Sequence, residues 1–240
     1  MKPSTFLRSA FGALLPATLL LAACGKKDTP APTPDQAGVR FVHDIASASA
    51  VPVKTYVGTQ ETATLNYGQS SGYVRVPIGP QDLKINASQT NTSLSTINRT
   101  LVKDVSYSVF AYRSGTVAAP VAPLVTEDVL TAPGANKAKL RLVNLGIGTA
   151  AAVGLSRVAG TTFVAITPAD VAYGAASAFA ETDAGSVQLF LTSNGLPTTP
   201  LIMSNPRTLT AGKIYTVVIR GTDTPLTPDQ SLVVDFIENN

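Results

Sequence analysis

The sequence predicts an all-β protein in which two tandem antiparallel β domains, each a sandwich or a barrel, follow a cleaved export signal peptide. Three observations predict this organisation. Apolar and polar residues alternate over short runs, as in LKINA from Leu83 and VQLFLT from Val187, and Gly, Pro, Asn or Asp separates the runs. Such alternation is typical of antiparallel strands. In addition, three sequence blocks occur twice in the same order, and an export signal ends at the only cysteine.

The N-terminal residues 1–23 have the pattern of an export signal. Lys2 and Arg8 give a cationic start, and a mostly apolar run extends from Ala10 to Cys24. This run is shorter than the roughly 20 residues that a membrane-spanning helix needs, and it ends in small residues, as cleaved signal peptides do. We therefore expect the protein to be exported and this segment to be removed.

The position of the only cysteine explains why it is alone. Exported proteins usually pair their cysteines in disulfides, so a lone thiol needs another role. The segment resembles the bacterial lipobox, and the resemblance is carried by Leu21, Ala22, Ala23 and Cys24. It implies that Cys24 is diacylated, becomes the first residue of the mature chain and anchors it to the membrane, since two acyl chains hold firmly where one does not. The alternative is an ordinary secretory signal with a cysteine near its cleavage site.

Residues 24–37 combine the lipidated cysteine with a Pro-rich linker. Prolines at positions 30, 32 and 34 favour a semi-rigid extended spacer of about 3.1 Å per residue. Gly25 stands in place of the aspartate associated with inner-membrane retention in some bacteria, so we expect anchoring in the outer membrane of the cell envelope. The step from Lys27 to Asp28 resembles surface-export signals of Bacteroidota lipoproteins and leaves exposure at the cell surface open.

The remainder of the chain contains two copies of one unit, predicted at residues 38–132 and 138–240. The offset between matching blocks grows from 101 to 106 to 108 residues, as short insertions in loops would produce. Both copies of the second block contain the pattern Tyr-Gly-x-x-Ser-x-aromatic. The matching pairs are VRFVHDI at Val39 with LRLVNLG at Leu140, LNYGQSSGYV at Leu65 with VAYGAASAFA at Val171, and NRTLVKDVSYSVFAYRSGT at Asn98 with PRTLTAGKIYTVVIRGTDT at Pro206.

A tyrosine recurs at the same place in both copies. Tyr107 and Tyr215 end the spacing Leu-x-x-(Asp/Gly)-x-x-Tyr, in which a turn residue precedes a strand that opens with tyrosine. This spacing is typical of a tyrosine corner, where the phenol hydrogen-bonds to backbone a few residues upstream and holds a Greek-key crossover. The alternative is an ordinary core tyrosine on a strand.

These features together resemble a bacterial family. VRFVHDIASASAVPVKTYVG from Val39, YGQSSGYVRVPIG from Tyr67 and the tyrosine-led strand are similar to the family called domain of unknown function 4397, often found in lipoproteins and often in tandem. His43 matches a histidine of that family, whereas Asn144 stands at the corresponding place of the second copy. The resemblance implies tandem Ig-like β-sandwich domains and no established activity.

The composition argues against several functions. Once Lys2 and Arg8 are removed with the signal, sixteen basic residues face fifteen acidic ones and lie scattered, so we expect no nucleic-acid partner. His43 is the only histidine and its neighbour Asp44 points to the opposite face of a strand, which disfavours a catalytic triad. A single histidine also cannot supply the usual zinc ligands. We expect no metal, no cofactor and no catalytic residue.

The sequence thus favours a lipid-anchored, non-enzymatic envelope protein that acts as a spacer or interaction module for an unidentified protein or glycan. One alternative is a surface carbohydrate-binding adhesin, for which Tyr56, Tyr73 and Tyr112 are the candidate aromatic platforms. The Ser/Thr-rich segment 86–100 is either a partner contact or a soluble sheet edge. A hydrolase with two dispersed carboxylates is a further alternative.

Overall fold

The computed structural model describes residues 34–47, 51–149, 152–159, 162–192, 201–225 and 227–240. The predicted signal peptide, the lipobox residues Leu21, Ala22 and Ala23, and the lipidation site Cys24 lie outside the described residues, as does most of the linker. Within the described ranges, no helix has the length and hydropathy needed to cross a membrane.

The described chain consists of β-strands and one short 3₁₀ turn at Pro228–Gln230. The all-β architecture predicted from the alternation is confirmed, and of the two forms left open, a sandwich or a barrel, the structure has sandwiches. The strands are β1 Gln36–His43, β2 Val53–Val57, β3 Gln60–Leu65, β4 Val74–Pro77, β5 Gly79–Ala87, β6 Ser93–Leu101, β7 Ser106–Arg113, β8 Val121–Asp128, β9 Lys137–Asn144, β10 Ala152–Ala159, β11 Thr162–Ala165, β12 Val171–Ala172, β13 Ala175–Ala176, β14 Ala180–Asp183, β15 Gly185–Val187, β16 Leu189–Thr192, β17 Ile202–Met203, β18 Arg207–Leu209, β19 Ile214–Arg220 and β20 Val233–Glu238.

Strands β1 to β8 form what we call the first sandwich. One sheet has the order β4-β1-β7-β8 and the other has the order β3-β2-β5-β6. Apolar side chains from both sheets meet in a single buried core, which includes Val39 and Phe41 of β1, Leu83 and Ile85 of β5, and Val109 of β7. The alternating burial of β2 matches its position with one face on this core and the other in solvent.

Strands β9 to β20 form the second sandwich. One sheet has the order β13-β9-β19-β20, and β14 also pairs with β9. The other sheet has the order β11-β10-β16-β17, and β12 also pairs with β10. The short strands β15 and β18 form a separate ribbon. The core includes Leu140 and Leu142 of β9, Leu155 of β10, Leu189 of β16 and Val217 of β19.

One strand pairing in each sandwich is parallel, although the sequence predicted antiparallel strands. β1 pairs with β7 so that Gly38 lies opposite Ser106, and β9 pairs with β19 so that Lys139 lies opposite Ile214. Lys139 lies 101 residues after Gly38, and Ile214 lies 108 residues after Ser106. These are the offsets between the two copies of the first and of the third sequence block. Alternation within a strand carries no information about the direction of its neighbour, so the pattern could not reveal the parallel pairs.

The four strands of these parallel pairs are buried on both faces. In β7 the five central residues, Tyr107 to Ala111, are buried. Nearly every residue of β19 is buried, as are the second halves of β1 and β9. Side chains of alternate residues point into the core of their own sandwich, and the others point to the opposite sandwich. Within the described ranges no strand pairing joins β1–β8 to β9–β20, and the domain limits 38–132 and 138–240 stay a prediction.

Candidate functional site

The most elaborate arrangement of side chains lies where the two sandwiches meet, and we call it the junction. It is formed by the outer faces of β1 and β7 against those of β9 and β19. Five buried apolar side chains form a cluster that belongs to neither core, and they are Val42, Phe110, Val143, Leu145 and Val218. Sheets that pack through apolar faces of this kind exclude water between them. The polar groups of the junction are therefore held in a largely dry environment.

Two arginines lie at matching positions in the junction and bind the same two hydroxyl groups. Arg40 donates from Nε to Ser108 Oγ at 2.7 Å and from Nη2 to Thr216 Oγ1 at 3.3 Å. Arg141 donates from Nε to Thr216 Oγ1 at 2.9 Å and from Nη2 to Ser108 Oγ at 3.4 Å. Each guanidinium thus bonds both of these hydroxyls, one in its own sandwich and one in the other, and Arg141 Nη1 also donates to Thr126 Oγ1 of the first sandwich at 2.9 Å. The four side chains form a cross-link with approximate twofold symmetry.

A single carboxylate balances these two cations. Asp128 Oδ1 lies 2.7 Å from Arg141 Nη2, and Asp128 Oδ2 lies 3.9 Å from Arg40 Nη2. Ser108 donates to Asp128 Oδ2 at 2.5 Å, while Thr216 donates to the side-chain oxygen of Asn239 at 3.0 Å. An amide thus occupies, in the second sandwich, the place that a carboxylate occupies in the first. Two buried positive charges therefore share one buried negative charge.

Aromatic rings complete the environment of the two guanidinium groups. The Cζ atom of Arg40 lies 4.9 Å from the ring centre of Tyr73, and that of Arg141 lies 4.6 Å from the ring centre of Phe179. Both distances are within the range of favourable cation–π contacts. The Tyr73 hydroxyl also donates to Asp128. Burial lowers the pKa of both arginines and raises the pKa of Tyr73. Arginine is not deprotonated in proteins, so both guanidinium groups carry a positive charge.

The repeated Tyr-Gly step also serves the junction. Gly68 and Gly174 have φ angles of 76° and 72°, which favour glycine. The guanidinium of Arg220, from the second sandwich, lies over Gly68, where an added Cβ would come within 2.8 Å of it. The hydroxyl of Tyr112, from the first sandwich, lies over Gly174, where an added Cβ would come within 2.6 Å. The glycines of the motif therefore allow a side chain of the opposite sandwich to approach the backbone.

His43, the last residue of β1, is buried and bonded to backbone through both ring nitrogens. Nε2 lies 3.1 Å from the carbonyl oxygen of Val51, and the amide of Ile45 donates to Nδ1 at 3.3 Å. A carbonyl can only accept and an amide can only donate, so the proton is on Nε2. Burial lowers the pKa of His43 to about 4. The ring is thus neutral at physiological pH and occupied by structural bonds.

Asp44 lies beside an arginine of the second sandwich. Its Oδ1 is 3.9 Å from Arg220 Nε, while Arg220 makes a closer contact of 2.5 Å with Asp235. Asp44 Oδ2 has no hydrogen-bond partner among the described residues. Burial raises the pKa of Asp44 to about 7, against the opposing effect of Arg220. The carboxyl group therefore changes charge within the neutral range.

Each of the two predicted corner tyrosines accepts a hydrogen bond from the backbone five residues upstream. Val102 N–H donates to Tyr107 Oη at 3.2 Å, and Thr210 N–H donates to Tyr215 Oη at 3.1 Å. The turn residue of the spacing has a positive φ in both sandwiches, 60° at Asp104 and 84° at Gly212. The stabilising role of these bonds stays a prediction.

The three tyrosines considered as glycan platforms are separated. Tyr73 and Tyr112 face the junction, where Tyr73 lies under Arg40 and Tyr112 contacts Tyr173 at 5.8 Å between ring centres. Tyr56 lies on the outer face of the sheet β3-β2-β5-β6. The polar segment 86–100 forms the end of β5, a turn and most of β6, which is the exposed edge strand of that sheet.

Sequence reasoning did not single out Arg40 or Arg141. A charged residue in the middle of an alternating strand normally points to solvent, so alternation alone hides a buried arginine. A signal was nevertheless present, because both arginines stand at the second position of the first block, in VRFVHDI and LRLVNLG, with apolar residues on either side. Apolar residues at successive positions indicate a strand with both faces covered.

Comparison with known proteins gives one family match. Residues 37–153 match the family model described as Domain of unknown function (DUF4397). Among curated proteins, none matches the chain significantly.

Similar solved structures are remote. The carbohydrate-binding module CBMbc of family CBM26 from Amy13K of Eubacterium rectale, solved in complex with maltoheptaose, is 9% identical with a TM-score of 0.26, covering 85% of this chain and 97% of its own. A protein of Bacteroides fragilis described as a candidate cell adhesion protein is 14% identical with a TM-score of 0.23, covering 86% of this chain and 98% of its own. Scores this low transfer no function to the chain.

Proposed function

We propose that this chain, in which residues 37–153 match the DUF4397 family model, is a lipid-anchored, non-enzymatic component of the bacterial cell envelope. In this proposal the two sandwiches act as one rigid interaction or spacer module, held away from the membrane by the Pro-rich linker. Cys24 carries the lipid and is the only attachment point required.

The observation that carries this proposal is the buried cross-link between the sandwiches. Domains joined through small polar interfaces usually move relative to one another. Here Arg40 and Arg141 each bond both sandwiches, and their side chains and that of Asp128 are at most 2% exposed. Moving the sandwiches apart would expose an apolar cluster and leave buried charges without partners, which is costly. A module of this kind keeps a fixed geometry, as a spacer or a presenting surface requires.

The anchor is tested by metabolic labelling with palmitate followed by membrane fractionation. We expect the native protein to be labelled and to sediment with membranes, and Cys24→Ser to be unlabelled and released. Gly25→Ala, which keeps the lipobox intact, serves as the control and should behave as the native protein. Membrane attachment of Cys24→Ser would contradict the anchor.

The non-enzymatic role is tested in two ways. Crosslinking and pull-down from intact cells, comparing the native protein with Cys24→Ser, should recover a specific partner only with the anchored form. A hydrolytic or lytic activity of the pure protein that one point mutation removes would contradict the proposal.

A second candidate function, glycan binding, is favoured by the surroundings of Tyr56. Its hydroxyl lies 3.1 Å from Glu61 Oε2 and 3.1 Å from Asn91 Oδ1, and Lys54 Nζ also lies 3.1 Å from Glu61 Oε2. A ring beside amide and carboxylate groups on the outer face of a sheet suits a sugar. A glycan array should then show binding that Tyr56→Ala removes, and a blank array at high protein concentration would exclude this candidate.

A further inference from the structure

The first sandwich has a cavity of about 390 Å³ at the end where β1 and β7 finish and β2 begins. Residues of both sheets line it, so it resembles the mouth of a β-barrel, where ligands commonly bind. Its volume falls within the range of about 300–1,000 Å³ that small-molecule pockets occupy. A cavity at the corresponding end of the second sandwich, lined by Val153 and Leu191, has only about 190 Å³.

The wall of the larger cavity is mainly apolar. The apolar lining residues are Ile45, Val51, Val53, Ala87, Leu94 and Val117. Leu94 is 37% exposed, a high value for a large apolar residue beside a cavity. Two uncharged polar residues, His43 and Ser47, also line the cavity, and the His43 ring is neutral and bonded to the backbone of Val51 and Ile45. An apolar molecule that entered would displace water from this lining, which is favourable.

One cation, Arg113, also lines the cavity. Its Nη1 donates to the carbonyl of Ala119 at 2.8 Å and its Nε donates to the carbonyl of Ala46 at 3.3 Å. These bonds hold the guanidinium in place and leave Nη2 without a hydrogen bond to the described residues. No carboxylate in the described part of the chain forms an ion pair with Arg113, and arginine remains charged at neutral pH. A half-buried, fixed and unpaired cation favours an anion beside it.

We propose that this cavity binds a medium-chain fatty carboxylate, whose apolar chain lies against the wall and whose single carboxylate pairs with Arg113. One arginine matches one negative charge, and its planar guanidinium matches the geometry of a carboxylate. The neutral ring of His43 adds no second charge. The proposed function assigns no ligand to this cavity, so the inference goes beyond it.

The experiment is a titration of the full chain carrying Cys24→Ser with octanoate, followed by NMR. Serine removes the acyl chains that could compete with the probe. Because His43 is the only histidine and lines the cavity, its ring proton gives one assignable signal from inside the site. We expect a saturable shift of this signal with octanoate, and a weaker response to octanol, which lacks the charge.

Three variants identify the binding site. Arg113→Gln should weaken octanoate at least about tenfold, the effect of losing a charged hydrogen bond, and leave octanol unchanged. Ala87→Phe should fill the cavity and remove the response to both probes, with an unchanged melting temperature showing that the variant is folded. Arg75→Gln is the control, since Arg75 is an exposed arginine on β4, at the opposite end of β1. An absent shift with octanoate, or equal octanoate binding in native and Arg113→Gln proteins, would overturn the proposal.

Discussion

Replacement of Asp128 by asparagine is the sharpest perturbation of the junction. The side chain keeps its size and loses its charge, so Arg40 and Arg141 remain buried with no carboxylate between them. Removing one partner of a buried ion pair typically costs about 3–5 kcal/mol of unfolding free energy, because the remaining charge is desolvated without compensation. We expect a loss of this size for Asp128→Asn, measured by urea denaturation of the native and variant proteins.

The adjacent residue supplies a matched control. Glu127 forms an ion pair with Arg99 at 2.9 Å, close to the 2.7 Å between Asp128 and Arg141, but the Glu127 side chain is 54% exposed and that of Asp128 is 0% exposed. Exposed pairs contribute about 0.2–1 kcal/mol. Glu127→Gln should therefore change the unfolding free energy by less than about 1 kcal/mol, although it removes the same charge from the same strand.

A double variant separates the loss of a bond from the burial of an unpaired charge. Adding Arg141→Met to Asp128→Asn removes a buried cation that has lost its partner. The double variant should therefore be more stable than Asp128→Asn alone, as expected when uncompensated charge is the main cost. Equal losses for Asp128→Asn and Glu127→Gln, or a further loss in the double variant, would refute this reasoning.

Three further predictions concern groups outside the central cross-link. The His43 ring signal should titrate near pH 4 instead of 6.5 in NMR. As the pH falls, the unfolded chain protonates His43 before the folded chain does. The stability due to the neutral ring is therefore present above pH 6.5 and is lost as the pH falls toward 4. The pH dependence due to Asp44 has the opposite direction, because burial raises the pKa of this carboxyl group to about 7. The stability due to its neutral form is present below pH 4 and is lost as the pH rises through 7. Between pH 4 and 8 the unfolding free energy of Asp44→Asn should therefore rise by up to roughly 4 kcal/mol relative to that of the native protein. Urea denaturation of both proteins at each pH measures this difference, and a difference that stays constant would contradict the prediction. Tyr107→Phe and Tyr215→Phe should each lower the unfolding free energy by about 0.5–1.5 kcal/mol, the value of one hydrogen bond, and unchanged melting temperatures would count against the corner.

The sequence allowed the fold class to be predicted because burial on one face leaves a period of two. β2, with alternating burial, and β5 with Leu83 and Ile85 facing the core, are strands of this kind. The parallel partners β1–β7 and β9–β19 could not be predicted, since strand direction depends on how the chain crosses between sheets. The offsets of 101 and 108 residues between repeated blocks were present in the sequence. That the first and third blocks form the paired parallel strands could be seen only in the structure.

The junction was less accessible to sequence reasoning than the strands. The Tyr-Gly motif stood out as a repeat, but its reason lies in Arg220 and Tyr112 of the opposite sandwich, which no local pattern connects to Gly68 or Gly174. Arg40 and Arg141 were overlooked because their partners are provided by β7 and β19, far along the chain. Contacts of this kind depend on how two sheets pack, and that is decided after the strands have formed.

The central claim is that the junction makes the two sandwiches one cooperative unit, and calorimetric unfolding of the protein tests it most directly. The account predicts one transition in which the calorimetric and van't Hoff enthalpies agree, since neither sandwich can leave the other without exposing Arg40, Arg141 and the apolar cluster. Two separate transitions in the native protein, or a transition unaffected by Asp128→Asn, would contradict it.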